Sequence, residues 1–268
     1  MAIATSARIH PTALIDPQAE IAKDVQVGPY VVIEGPVRVG AGCVIRPGVH
    51  LFGPMTVGEN NVFHSHAVIG DLPQHLKFVP GPNSLCIGDH NTFREHVTVH
   101  RPAAAGGVTR IGDRNFFMAS AHVGHDSTIG NNCIFANSAL VGGHCVVEDN
   151  AMMSGNSAVH QHCRLGRLSL ISGVSASSMD VVPFMIYQRV NVVCGVNIIG
   201  MRRAGIPAAS IEAVRKAYHI LFLGNNIVTH SLLRLEAEMG HIAEVMELVS
   251  FIRASKRGVS LDVERQAA

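Results

Sequence analysis

The sequence lacks a charge imbalance, a long apolar run and any close cysteine pair. Its 21 Lys and Arg stand against 20 Asp and Glu, a formal net charge of +1. No global field therefore draws in nucleic acid or an anionic membrane surface, and any anionic ligand must be met locally. No stretch approaches the roughly 20 apolar residues of a membrane span, which excludes an integral membrane segment and leaves peripheral association open. The six cysteines, at positions 43, 86, 133, 145, 163 and 194, form no C-x-x-C pair. The N-terminus has neither the basic flank nor the apolar core of a signal peptide, so a reducing cytoplasm is the expected setting. Tryptophan is absent, whereas histidine occurs 16 times.

What is present is an apolar fraction of 47% over 268 residues, enough for one large core and a small appendage. It is organised as a six-residue repeat. Ile9, Ile15, Ile21, Val27, Ile33, Val39, Ile45, Leu51, Val57, Phe63 and Ile69 are all large and apolar, and the phase survives to Ile171. His75, Gly81 and Ala105 break it, which marks residues 71–84 and 101–110 as loops ejected from the coil. A second register, two places earlier, carries small residues such as Ala13, Cys43, Ala121, Cys133, Cys145 and Cys163. Those cysteines read as small buried hydrophobes rather than catalytic or metal-binding groups. Glycine often follows the large residue, for example at 28, 40, 58 and 142. Two inward positions per six, with turn-forming residues between them, suit a short strand and a sharp corner. A helix cannot keep such a period on one face. The pattern predicts a parallel β-helix whose triangular coil uses 18 residues.

The phase fades where Ser177 and Pro183 take the large-residue slots. Residues 183–197 read as a last irregular coil, and Arg202-Arg203-Ala204-Gly205 as a link. Helical spacing begins near Pro207 with Ile211, Val214, Tyr218 and Leu221, and Gly224 and Asn225 mark its end. Leu232, Leu235 and Met239 predict a second helix stopped near Gly240; Val245, Val249 and Ile252 predict a third, with a polar tail fraying after Gly258. The expected division is a β-helix domain over 1–197 and a linker with a small α-helical domain over 198–268.

The chemistry concentrates in Ala121-His122-Val123-Gly124-His125-Asp126. Steps of 18 from 125 reach Gly143 and Gln161, and from 126 reach His144 and His162, with His160 beside them. One outer surface of three coils thus gathers imidazoles around a carboxylate. That combination suits general-base catalysis, because the carboxylate can fix the imidazole tautomer. It also suits zinc, as in the gamma-type carbonic anhydrases that share this architecture. Exposed histidines at subunit contacts are the plain structural reading. Spacing alone leaves these open.

The stretches Ile9 to Ala13, Ile87-Gly88-Asp89, Val97 to Arg101, Ala121 to Asp126, Val159-His160-Gln161 and Gly195 to Ile198, with the two loops and the helical tail, resemble the UDP-N-acetylglucosamine O-acyltransferase family over nearly the whole chain. The resemblance implies left-handed coils and a homotrimer with active sites between neighbouring β-helices. The implied reaction transfers an (R)-3-hydroxyacyl group from acyl carrier protein to the 3-hydroxyl of UDP-N-acetylglucosamine, the first step of lipid A biosynthesis. The carrier's 4'-phosphopantetheine arrives as substrate, and neither a cofactor nor a metal is expected. His125 matches the general base, Asp126 its orienting carboxylate, and the Gly143 N–H the oxyanion donor. Gln74, Lys77, His122, His144, His160, Gln161, Asn197 and Arg203 match positions around the acceptor, nucleotide or acyl chain. Gly173 matches the acyl-length ruler, where a missing side chain leaves room for a chain of roughly 12–14 carbons.

Two departures stand out. His75 replaces the aspartate usual in this family, which suggests altered recognition at the sugar 3-position and a 3-amino sugar, acylated to an amide, as the alternative acceptor. Ala204 interrupts a basic run. A zinc hydratase and a non-catalytic trimeric scaffold are the readings from other classes.

Overall fold

The computed structural model describes residues 2–224 and 227–263. Most of this chain forms short strands on three faces of a solenoid, in sheets of nine, eleven and nine strands, parallel except for one terminal hairpin. The first face includes Glu20–Ile21 and Thr128–Ile129, the second Gln26–Val27 and Ile134–Phe135, the third Val32–Glu34 and Leu140–Val141. Leu14 pairs with Val32 and Val32 with His50, so each coil consumes the expected 18 residues.

At the two interruptions Met55 pairs with Leu85 and Leu85 with Thr109, separations of 30 and 24. The ejected loops therefore add 12 and 6 residues, whole repeat units, which explains why the apolar phase re-emerges unshifted beyond each. Inside, Phe63, Phe93, Phe117 and Phe135 stack with centroids 4.9, 4.9 and 4.7 Å apart. Cys43, Cys133, Cys145 and Cys163 are fully buried in the small-residue register. Burial pushes the Cys133 and Cys145 thiols up to about 12 and Cys163 to about 11, which removes them as nucleophiles.

The corners are turned by the third residue after the large one. Asn60, Ser120, Asp126, Asn132, His144, Asn150 and His162 all have φ between 53° and 65°, a conformation Asn, Asp and His tolerate better than most. The glycines that follow the large residues, apart from Gly70 at φ 84°, have a different cause. A Cβ on Gly40 would lie 2.3 Å from the Gly58 carbonyl oxygen, so that position is close approach between coils rather than left-handed backbone.

The last parallel strand, Met185–Gln188, turns back into Val192–Val196 as an antiparallel hairpin. The expected Arg-Arg link is instead a short helix, α1 (Ile198–Arg203), capped by the Asn197 side chain, which accepts from the Gly200 N–H. Gly205, at φ 77°, ends it. Helix α2 (Ala208–Tyr218) follows Pro207 and widens into a π-type turn at His219–Leu223 before Gly224; Asn225 lies outside the described residues. Helices α3 (Val228–Met239) and α4 (Ala243–Arg253) match the spacing in the sequence. They dock on the coils where Arg167 donates two parallel bonds to Glu247, at 3.0 and 2.7 Å, and Arg164 lies 3.8 Å over the Phe251 ring. The tail after Gly258 does not fray over its described part: Val259 and Val263 bridge back to Asp180 and Val193. Among the described residues no helix is long and apolar enough to cross a membrane.

Candidate active site

His125 ends one strand's turn between the third and first faces, and Asp126 follows in the left-handed corner. That kinked backbone brings adjacent side chains together, which sequence adjacency alone could not promise. His125 Nδ1 lies 2.8 Å from Asp126 Oδ2. The carboxylate is further fixed by the Ala103 N–H, which donates to Oδ2 at 2.8 Å, and its backbone N–H donates to Thr109 Oγ1. Burial raises the Asp126 carboxyl, but the His125 bond, the Ala103 N–H and His144 outweigh it and hold the group below its ordinary value. An ionised Asp126 requires the proton of neutral His125 on Nδ1, which leaves Nε2 as a base.

Nε2 faces Gly143: a Cβ built there would fall 2.7 Å from it. The Gly143 N–H has no acceptor among the described residues. His125 was expected on an outer surface and is in fact 7% exposed. The first loop covers it, with the His75 ring edge-on at 5.1 Å. On the other side His144 meets the His125 ring at 5.1 Å and stacks on His162 at 4.6 Å. Desolvation, with His162, His125 and His75, lowers His144 against the pull of Asp126. His122 donates to or accepts from Thr98 Oγ1 at 2.8 Å, and burial beside His100 and His125 pushes it down to about 4. Gln161 and His160 sit exposed on the same corner.

Sequence reading missed several supports. Asn83 in the first loop donates to the Pro102 carbonyl in the second at 2.9 Å, and Ala103, next to it, holds Asp126. A backbone N–H carries no residue-type signal. Buried His100 lies 4.9 Å from the His122 ring; its pairing needs the 24-residue step that the second loop creates.

His125, Asp126 and His144 are also the described residues whose ligand atoms, within 4.8 Å of one another, could hold a metal. The fit is poor. Two ligands on tetrahedral zinc with bonds of 2.0–2.1 Å lie about 3.3 Å apart, whereas Nδ1 and Oδ2 are at hydrogen-bonding distance, 2.8 Å.

Other expected site residues lie elsewhere. Asn197 and Arg203 line a groove of about 570 Å³ against the second face, with Ile134, Met152, Leu170 and Ile186 along its floor. The Asn197 amide is engaged, donating to the Leu168 carbonyl and accepting from Gly200, which leaves Arg203 as the charged group on that groove. Gly173 is exposed at the far corner of the same face, and a Cβ there would meet only the Gly155 oxygen, at 3.5 Å. Gln74, Leu76 and Lys77 project from the first loop, Leu76 fully exposed.

A family profile described as "Udp N-acetylglucosamine O-acyltransferase; Domain 2" matches residues 180–260, and one for bacterial transferase hexapeptide repeats matches 18–53 and 109–143. An acyl-[acyl-carrier-protein]--UDP-N-acetylglucosamine O-acyltransferase of Akkermansia muciniphila is 52% identical over 253 residues, 93% of this chain and 98% of the relative. The chain belongs to the UDP-N-acetylglucosamine O-acyltransferase family. Two solved acyltransferases agree with this in three dimensions. The Campylobacter jejuni UDP-N-acetylglucosamine acyltransferase superposes with a TM-score of 0.89 at 31% identity, covering 96% of this chain and all of its own. The Acinetobacter baumannii structure does so with 0.89 at 35%, covering 94% and 98%. As a member of this family the chain is an acyltransferase.

Proposed function

We propose that this acyltransferase moves a 3-hydroxyacyl group from acyl carrier protein to the 3-hydroxyl of UDP-N-acetylglucosamine, in the cytoplasm, as the opening step of lipid A synthesis. The carrying observation is the arrangement of His125, Asp126 and Gly143. His125 Nε2 takes the proton of the sugar hydroxyl while its oxygen forms a bond to the thioester carbonyl carbon. The Gly143 N–H meets the negative charge that develops on the carbonyl oxygen. Collapse breaks the carbon–sulfur bond, and the departing pantetheine thiolate takes the proton back from His125. Charge on the imidazolium is offset by Asp126. No covalent enzyme intermediate is needed, in keeping with the raised thiols of buried Cys133, Cys145 and Cys163.

Where the binding groups lie supports a homotrimer. The histidine corner separates the third and first faces, while the Arg203 groove and Gly173 belong to the second, so a single chain presents two half-sites. Three-fold packing sets the second face of one subunit against the histidine corner of the next. The exposed Leu72, Leu76 and Val79 on the first loop support a neighbour's cover there. In that arrangement Arg203 and Lys77 meet the pyrophosphate, the apolar groove receives the acyl chain or nucleotide, and His122, His144, His160, Gln161 and Gln74 complete the contacts.

His75 bears on the acceptor. Its Nδ1 accepts the Lys77 N–H at 3.2 Å, so the neutral ring carries its proton on Nε2. Such a donor suits a hydroxyl oxygen, which keeps a second lone pair for attack; it competes for the single lone pair of an amine. The hydroxyl acceptor is therefore preferred over the 3-amino sugar. A mass-resolved transfer assay with a panel of 3-hydroxyacyl carrier proteins and both sugar acceptors tests the whole reading. Formation of the ester product supports it, amide alone moves the assignment to the amino sugar, and no product from either acceptor sinks it.

A further inference from the structure

The tail that returns to the solenoid places one cation against the histidine corner. Residues 255–263 are fastened on both sides of Arg257: Ser255 Oγ donates to Asp180 Oδ2 at 2.8 Å, the Asp180 N–H donates to the Gly258 carbonyl at 2.9 Å, and the Val193 N–H donates to the Asp262 carbonyl at 2.8 Å. Asp180 is buried, and its other oxygen accepts the Arg164 N–H. Between these fastenings Arg257 Nε donates to the Ser178 carbonyl at 2.8 Å, and Nη2 lies 2.8 Å from His160 Nδ1.

His160 Nδ1 also lies 3.2 Å from the Gln161 carbonyl oxygen. The two contacts make opposite demands. A carbonyl only accepts, so it would need a proton on Nδ1; a guanidinium only donates and stays protonated, so it needs Nδ1 bare. The guanidinium contact is shorter and charge-assisted, and it wins. Neutral His160 then carries its proton on Nε2, which has no partner among the described residues.

We infer that Arg257, on the C-terminal strap, is a positioning residue that fixes His160 as an Nε2–H donor toward an acceptor oxygen of the substrate, a phosphate or carbonyl. This rests on the reading of the His125 corner as the acyl-transfer site, where His160 contacts substrate. The strap is thus part of the site although it follows the last helix, and it reaches His160 from nearly 100 residues away in sequence.

The experiment uses full-length protein labelled with 15N in its histidines. Long-range nitrogen–proton correlation spectra of the wild type, Arg257→Ala and Arg257→Lys are compared, with His160→Gln assigning the signal, alongside steady-state kinetics and melting curves. In the wild type, His160 shows a bare Nδ1 and a protonated Nε2. In Arg257→Ala the proton redistributes toward Nδ1 as the Gln161 carbonyl takes over. There KM for the sugar nucleotide or the acyl carrier rises about tenfold, the size of one lost charge-assisted hydrogen bond, with kcat within about twofold. Arg257→Lys recovers most of it. An unchanged tautomer, an unchanged KM, or an equal fall of kcat and melting temperature in both variants overturns the inference. Should the wild type transfer no acyl group, the function proposed above falls, while the tautomer comparison still decides what Arg257 does.

Discussion

Gly143 has no room for a side chain because the His125 ring occupies it: a methyl there would sit 2.7 Å from both Cε1 and Nε2. Gly143→Ala must push the imidazole off its position or shift the coil beneath it. Activity is expected to fall by about 10²-fold or more, since a base displaced by an ångström loses that much, while the melting temperature changes little. Retention of more than a tenth of wild-type kcat/KM would contradict the placement.

The dyad makes two separate demands on the site. His125→Ala removes the base and lowers kcat by about 10²–10⁴-fold. Asp126→Asn keeps the shape but offers an N–H to His125 Nδ1, which moves the imidazole proton to Nε2 and abolishes the base; a loss of comparable size is expected. Single-turnover rates with acyl carrier protein separate these effects from product release. Near-normal rates in Asp126→Asn would show that the carboxylate does not set the tautomer.

His122 predicts a pH dependence of stability. Its pKa falls from 6.5 to about 4 on folding, through burial and then through His100 and His125. Between these values the unfolded chain binds a proton that the folded one does not, so stability declines as pH drops from 6.5 toward 4. Melting curves across that window should show a shallower decline in His122→Gln than in the wild type. Parallel curves would remove His122 as the source.

At Gly173 a substituent has space, its nearest neighbour being the Gly155 oxygen at 3.5 Å. Gly173→Met is expected to fold normally and to shift the preferred acyl donor to a shorter chain, read by competition among carrier proteins with mass detection. An unchanged chain-length profile would place the end of the acyl chain elsewhere.

The phenylalanine stack should carry stability rather than activity. Phe117 is fully buried between Phe93 and Phe135, and Phe117→Ala is expected to destabilise the protein by about 3–5 kcal/mol in denaturant titrations. A loss under about 1 kcal/mol would mean that the coil closes over the cavity.

The solenoid was legible because its cause is local and periodic. Ile9 through Ile171 recur every six residues since each inward position needs the same filling, and the register of 18 follows once three sides close a coil. His125, His144 and Gln161 could be gathered on one corner by that arithmetic. Even the two loops announced themselves, through His75, Gly81 and Ala105, because they leave the phase.

What the linear chain could not decide were contacts that depend on where a backbone bends or returns. The Asp126 carboxylate reaches His125 because its corner residue is left-handed, and Ala103 reaches Asp126 because Asn83 pins the second loop. His125 is covered, rather than exposed, by a loop whose path has no period. Helix α1 hid in what read as a basic linker, and the tail that read as fraying carries Arg257 to His160. Repetition writes the core into the sequence, since every coil solves the same packing problem; the site is made where the repeat is interrupted or left behind, and only tertiary contacts determine it there.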